Sequence, residues 1–441
     1  MLLPLAVMSF CWAFGVLYWY MRYSDWAIYR PMFPLPRYAG GEGQGEGDRF
    51  SRSAPMNPVY EPAEAPLTLT LSPGVPGERG SEAEHLLKSP ATDDDKDVTV
   101  TETKPPPPPA LAPAKEGEYN RTRIDFHLPM PRPKVRGPVI DFHCHLLAAH
   151  HAKGWFESAK HFGIDYFVTM CPIEEAVGLQ RDWGDRLQFI AVPAWREVTG
   201  NWYDNFLNRL EMFYNLGSRI VKFHMAPGTM AMRKYRLDSP ELRPIFREIH
   251  DRKMAVMTHV GDPDTWYHGK YAADPAKFGL RDEHYQMWEA ALAEHPKDVP
   301  WIGAHMGGNP EDLPRLQRLL DAFPNLYLDC SATRWMVREI SKRRETAREF
   351  FIRNADRILF GSDQVSGDDR GFDFLASRFW CHRKLWETAY IGPSPILDPD
   401  VPDDQQPVIH GLALPDDVLQ KLYHDNAIKV LGQVGVGFGW G

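Results

Sequence analysis

From residue 135 onward, short runs of β-branched and aromatic residues alternate with stretches whose apolar positions recur every three or four residues. The first texture is that of buried strands, the second that of amphipathic helices. Eight runs read as strands: PVIDFHCH (138–145), IDYFVTMC (164–171), LQFIAVPAW (187–195), SRIVKFH (218–224), MAVMTHV (254–260), PWIGAHM (300–306), NLYLDCSA (325–332) and RILFGSD (357–363). Segments of helical length lie between them, such as YDNFLNRLEMFYNLG, SPELRPIFREIHDR and EDLPRLQRLLDAF. The last two carry capping-type starts, Ser239 before Pro240 and Asn309 before Pro310. Eight strand–helix units over roughly 300 residues predict a (β/α)8 TIM barrel, here spanning 135–433. A doubly wound open sheet is the competing architecture, but no GxGxxG follows the first strand.

Upstream the pattern disappears. Met1 to Met21 carries no charge and is long enough to cross a bilayer, which makes 1–23 a candidate transmembrane anchor. It lacks the basic start and small-residue cleavage site of a secretory signal. Arg22, Arg30 and Arg37 follow it against Asp25, so an inserted segment 1–21 would leave the remainder in the cytoplasm. Residues 24–130 are rich in Pro, Gly, Ser, Glu and Thr and read as a disordered, low-complexity linker. Within it, PLPRYAGGEGQGEG (34–47) back-translates to a strand whose complement encodes PLTLTLSPGVPGER (66–79), with a permitted codon at every position. That relation marks a translated inverted repeat, and the stretch before about residue 115 reads as a misplaced gene start or an inserted repeat.

Composition narrows the class. The chain has 441 residues, 43% hydrophobic and 25% charged, with a formal charge of −9. So mild a negative balance argues against nucleic-acid partners. Five cysteines without a CxxC pair argue against a disulfide framework and fit a reducing compartment. The expected location of the barrel is cytoplasmic.

The strand ends carry the chemistry. Alternate residues of a strand share a face, so His143 and His145 point together, Cys144 points away, and Asp141 lies one step deeper, placed to orient an imidazole. His224, His259, His305 and Asp363 end later strands. Buried polar groups cost free energy unless paired, so this many at one barrel mouth predicts a metal site. The bland readings are satisfied core histidines, a helix-capping Asp363 and a His305 that orients its glycine turn. The remaining histidines, His150 and His151 among them, read as surface groups.

The motifs VIDFHCHL, VMTHVGD, IGAHMGGNPEDLPRL, NLYLDCSA, ILFGSD and LPDDVLQKLYHDNAIKVLG together resemble the amidohydrolase superfamily. The nearer likeness is to the amidohydrolase-related family that includes aminocarboxymuconate semialdehyde decarboxylase. The resemblance implies one divalent metal, Zn2+ first and Mn2+ second, held by His143, His145, His259 and Asp363, with His305 and Asp363 catalytic. Some superfamily members bridge two metals with a carboxylated lysine on the fourth strand. Lys222 shares a face with His224 but should lie one layer below it, which favours a single metal. His224, Arg196 and Arg334 are candidate substrate contacts. Arg378, Trp380, His382, Arg383 and Trp386, in the long insertion after Asp363, either clamp substrate or pack a helix.

Hydrolysis of a small amide, ester or lactone by metal-activated water is the leading expectation, with the superfamily's commonest reaction as its analogy. Non-oxidative decarboxylation of a small, carboxylated substrate uses the same ligands and needs a cation near the metal; Arg196, Lys222 and Arg334 are its candidates. A metal-free scaffold would require a decayed ligand set, and the set is complete. A small-molecule substrate, a homodimer, and membrane contact only through the N-terminal segment complete the expectations.

Overall fold

A computed structural model describes residues 118–193, 202–233 and 236–437. Eight strands form one sheet in chain order: β1 (Ile140–Cys144), β2 (Tyr166–Met170), β3 (Leu187–Ala191), β4 (Ile220–Met225), β5 (Ala255–Val260), β6 (Trp301–Gly303), β7 (Leu326–Asp329) and β8 (Ile358–Leu359). All seven successive pairings are parallel. The seam between β1 and the chain leaving β8 is closed by backbone bonds. Phe142 N–H donates to Phe360 O (2.8 Å), Asp363 N–H to His143 O (2.7 Å) and His145 N–H to Gln364 O (2.7 Å). The predicted TIM barrel is the observed fold.

Two apolar layers hold it. Val221 and Phe223 of β4 and Val256 of β5 face the helices, and Ile220, Ala255 and Met257 face inward with Ile140, Val168, Ile302 and Leu359. The last helix, Asn426–Gln433, adds Ala427, Val430 and Leu431 to the inner layer. Alternation along β4 and β5 therefore carries Lys222, His224 and His259 inward, with His224 and His259 side by side in register.

Four sequence expectations change. Along β1, three steps from Asp141 to Cys144 face two steps of β2 from Phe167 to Thr169, a bulge that breaks the pleat. Asp141 thus pairs with the outward Phe167 and does not share a face with His143. Strands six to eight stop short, so His305 and Asp363 sit in the loops that follow β6 and β8. Asp312, and not Asn309, caps the helix Leu313–Ala322 by accepting from Arg315 N–H, and the Ser239 hydroxyl accepts from Arg236 N–H instead of a helix amide. Residues 118–130, assigned to the linker, are packed: Phe126 is buried, Tyr119 meets Phe374 edge-on and Arg121 donates to Ser394 O.

Among the described residues no helix is long and apolar enough to cross a membrane. The candidate anchor 1–23 and the inverted repeat lie outside them.

Candidate metal centre

β1 and the loop after β8 bring three groups together. Asp363 Oδ1 lies 3.0 Å from His145 Nε2 and 3.3 Å from His143 Nε2. Ligands 2.0–2.1 Å from a tetrahedral ion stand about 3.3 Å apart. Two imidazoles and a carboxylate at these separations fit one divalent ion, and the nitrogen-rich donor set suits zinc. Burial alone would raise the Asp363 carboxyl, but His305, the hydrogen bond from His145 and His143 hold it well below the usual carboxylate range.

A support built from β7 orients the rings. Asp329, fully buried, accepts from His143 Nδ1 (2.8 Å) through Oδ2 and from the His305 amide (2.9 Å) through Oδ1. Ser331 gives its one hydroxyl proton to Asp329, so its oxygen accepts from His305 Nδ1 at 2.8 Å. Both rings are therefore Nδ1–H tautomers that keep the Nε2 lone pair. Burial opposes charge on Asp329, yet His143, His305 and Lys222 outweigh it and keep the carboxylate ionised. The sequence pattern gives neither residue a role; its one sign of them is a further carboxylate at a strand end, in NLYLDCSA. Asp141, expected to orient an imidazole, instead accepts from Ser362 N–H (3.0 Å) and Oγ (2.5 Å). Burial pushes its carboxyl up to about 7.

The loop after β6 carries strain. His305, Met306, Gly307 and Gly308 all hold positive φ, at 57°, 53°, 61° and 71°. The left-handed region costs about 1–2 kcal/mol per non-glycine residue, so other contacts must impose it. Asp329 holds the His305 amide, and Tyr285 Oη donates to Gly307 O (2.5 Å). A Cβ on Gly308 would run into the Val260 carbonyl at the end of β5. The turn aims His305 between two other imidazoles, with ring centres 4.9 Å from His143 and 4.5 Å from His259. Burial first, then His259, His143 and Lys222, lower its pKa well below the ordinary imidazole value, so it is neutral.

The other expected residues divide. His259 does not join the His143–His145–Asp363 group; its Nε2 meets Asp262 Oδ1 at 3.1 Å, which leaves Nδ1 for a ligand role. His224 lies against His259, with ring centres 4.5 Å apart, and its Nδ1 bonds Thr229 Oγ1 at 2.7 Å. Lys222, placed one layer down by the sequence, reaches His143 Nε2 at 3.1 Å. Arg334 is the second residue of the helix Thr333–Ser341 and makes no hydrogen bond or ion pair to this cluster among the described residues. Arg196 lies outside the described residues. The insertion helix Phe372–Glu387 settles the clamp question for three residues. His382 and Trp386 are buried and bonded to each other, and Arg383 is held by Glu387 and by the carbonyls of Phe162 and Pro131.

A family model described as Amidohydrolase matches residues 202–433, more than half of the chain. The chain belongs to the amidohydrolase family. A comparison of this amidohydrolase with curated proteins found no match. Similar solved structures include an uncharacterised TIM-barrel protein from Bordetella bronchiseptica, 16% identical, covering 68% of this chain and all of that one, with a TM-score of 0.43. A "probable 2-pyrone-4,6-dicarboxylic acid hydrolase" from Acinetobacter baumannii is 11% identical, covering 67% and 100%, with a TM-score of 0.44. A 2,6-dihydroxybenzoate decarboxylase from Rhizobium is 15% identical, covering 68% and 100%, with a TM-score of 0.42.

Proposed function

We propose that this amidohydrolase is a metal-dependent hydrolase of a small amide, ester or lactone. His143, His145 and Asp363 would hold one divalent ion, zinc first and manganese second, with His259 as the fourth ligand. The observation that carries the reading is the meeting of two Nε2 atoms and one oxygen of the ionised Asp363 at 3.0–3.3 Å. An ion bound there supplies Lewis acidity and makes water acidic enough to furnish hydroxide near neutral pH. Asp363 takes a proton from the attacking water and returns it to the leaving group. His305, neutral and held through Nδ1, offers its Nε2 lone pair as an acid–base group next to the reacting carbonyl. His224 and Arg334 are proposed substrate contacts.

Decarboxylation stays as a second reading because of Lys222. Its Nζ, buried 3.1 Å from His143 Nε2, would set a cation beside the centre for a departing carboxylate.

The test is elemental analysis of the purified chain, followed by turnover on lactones, amides and carboxylated aromatics. About one zinc or manganese at this centre, lost in His143→Ala, is expected, with Asp363→Asn lowering kcat by about 10²–10⁴. Carbon dioxide release without hydrolysis would select the second reading, and full metal content in His143→Ala would overturn both.

A further inference from the structure

Outside the centre, three other side chains converge at the rim of the same mouth. His150 Nε2 and His151 Nε2 each lie 3.0 Å from Asp368 Oδ1. The two rings are tilted at 53° to each other, with centres 4.0 Å apart. His150 and His151 belong to the short turn that follows β1, and Asp368 to the loop that follows β8. We propose that these three residues form a second divalent-metal site, a clasp of two nitrogens and one oxygen whose remaining positions are filled by water.

The geometry is that of a ligand set. Two Nε2 atoms aimed at one carboxylate oxygen leave separations close to the edge of a tetrahedral zinc site, about 3.3 Å. Adjacent imidazoles so near would repel if both were protonated, whereas neutral rings around a cation attract it together. His151 is also held from behind, its Nδ1 2.9 Å from Ser366 Oγ. That hydroxyl has two lone pairs, one taken by Leu147 N–H at 2.9 Å, so it can also accept an Nδ1–H. Such a bond is the usual partner of a ligating imidazole, and it frees Nε2 for the metal. Soft thiolates are absent from the set and two imidazoles are present, which favours zinc, nickel or copper over magnesium and calcium.

The placement gives the clasp a consequence. His145 precedes His150 by one short turn, and Asp363 precedes Asp368 by the same span on the other loop. The backbone between them is already paired, Ser366 N–H donating to His145 O at 2.9 Å. A cation at the rim ties together the two loops that position His145 and Asp363.

The experiment is calorimetric titration of Zn2+ into chelator-stripped full-length protein, wild type against His150→Ala and Asp368→Ala. These side chains are 63% and 82% exposed, so neither change threatens folding. Two zinc ions per wild-type chain, and one in each rim variant, are expected. Amide exchange across 145–151 and 364–371 should slow about tenfold more with zinc in the wild type than in Asp368→Ala. Equal stoichiometry in wild type and both rim variants overturns the clasp, as does loss of the second ion in Lys222→Met instead. His143→Ala separates the two readings: a rim ion that survives there supports the clasp whatever becomes of the inner centre.

Discussion

Asp329 controls two imidazoles through two oxygens, one directly and one through Ser331 and the His305 amide. Asp329→Asn keeps the shape but removes the charge and one acceptor. Loss of such an orienting carboxylate typically lowers metal affinity 10–100-fold. The expected outcome is that drop in zinc affinity by competition with a chromophoric chelator, with far-ultraviolet dichroism unchanged; unaltered affinity would free Asp329 of the role. At this scale the sequence was legible wherever a residue's type alone implied a site. His143, His145 and Asp363 stand out as polar groups ending apolar runs, and they meet. Asp329 and Ser331 did not stand out, because their importance lies in which atom each one bonds. The bulge in β1 was equally hidden, since strict alternation put Asp141 on the wrong face.

Among the elements, the helix Phe372–Glu387 shows how periodicity can name a helix without naming its partner. Its aromatics suited a substrate clamp as well as a packing face, and burial decides the matter. Trp386 is fully buried, stacks on Phe351 with ring centres 4.8 Å apart and donates to His382 Nδ1 at 3.1 Å. That bond makes His382 an Nε2–H tautomer, bonded to Thr333 Oγ1 at 3.0 Å; Thr333 in turn donates to Ser362 O, next to Asp363. Trp386→Ala should cost about 3–5 kcal/mol, read from urea unfolding, and a loss below 1 kcal/mol would contradict the packing role. All eight strands were legible as apolar runs. Their ends were not, because WIGAHM reads as one strand while Asp329 and Gly308 force its second half into a left-handed turn.

For the whole molecule, acid should be the destabilising direction. His382 and His295 are buried neutral, each lowered to about 3; burial is the main cause in both, and His250 adds to it for His295. Above the ordinary value near 6.5 neither form binds a proton, and the stability is complete. Between 6.5 and 3 the unfolded chain takes up protons that the folded one refuses, so stability falls as pH falls, by about 2 kcal/mol per histidine at pH 5. Urea midpoints at pH 7 and pH 5 measure this, and equal midpoints would refute it. The closed seam has a further outcome, for synthesis. His145 and Asp363 touch across 218 positions of chain, an interval of roughly 10–45 s at ordinary ribosomal speed. During that time the first strand's imidazoles lack Asp363 and β1 has an open edge. The candidate metal centre is thus born last, in the step that closes the cylinder, and a nascent chain stalled before β8 should emerge unable to hold an ion there.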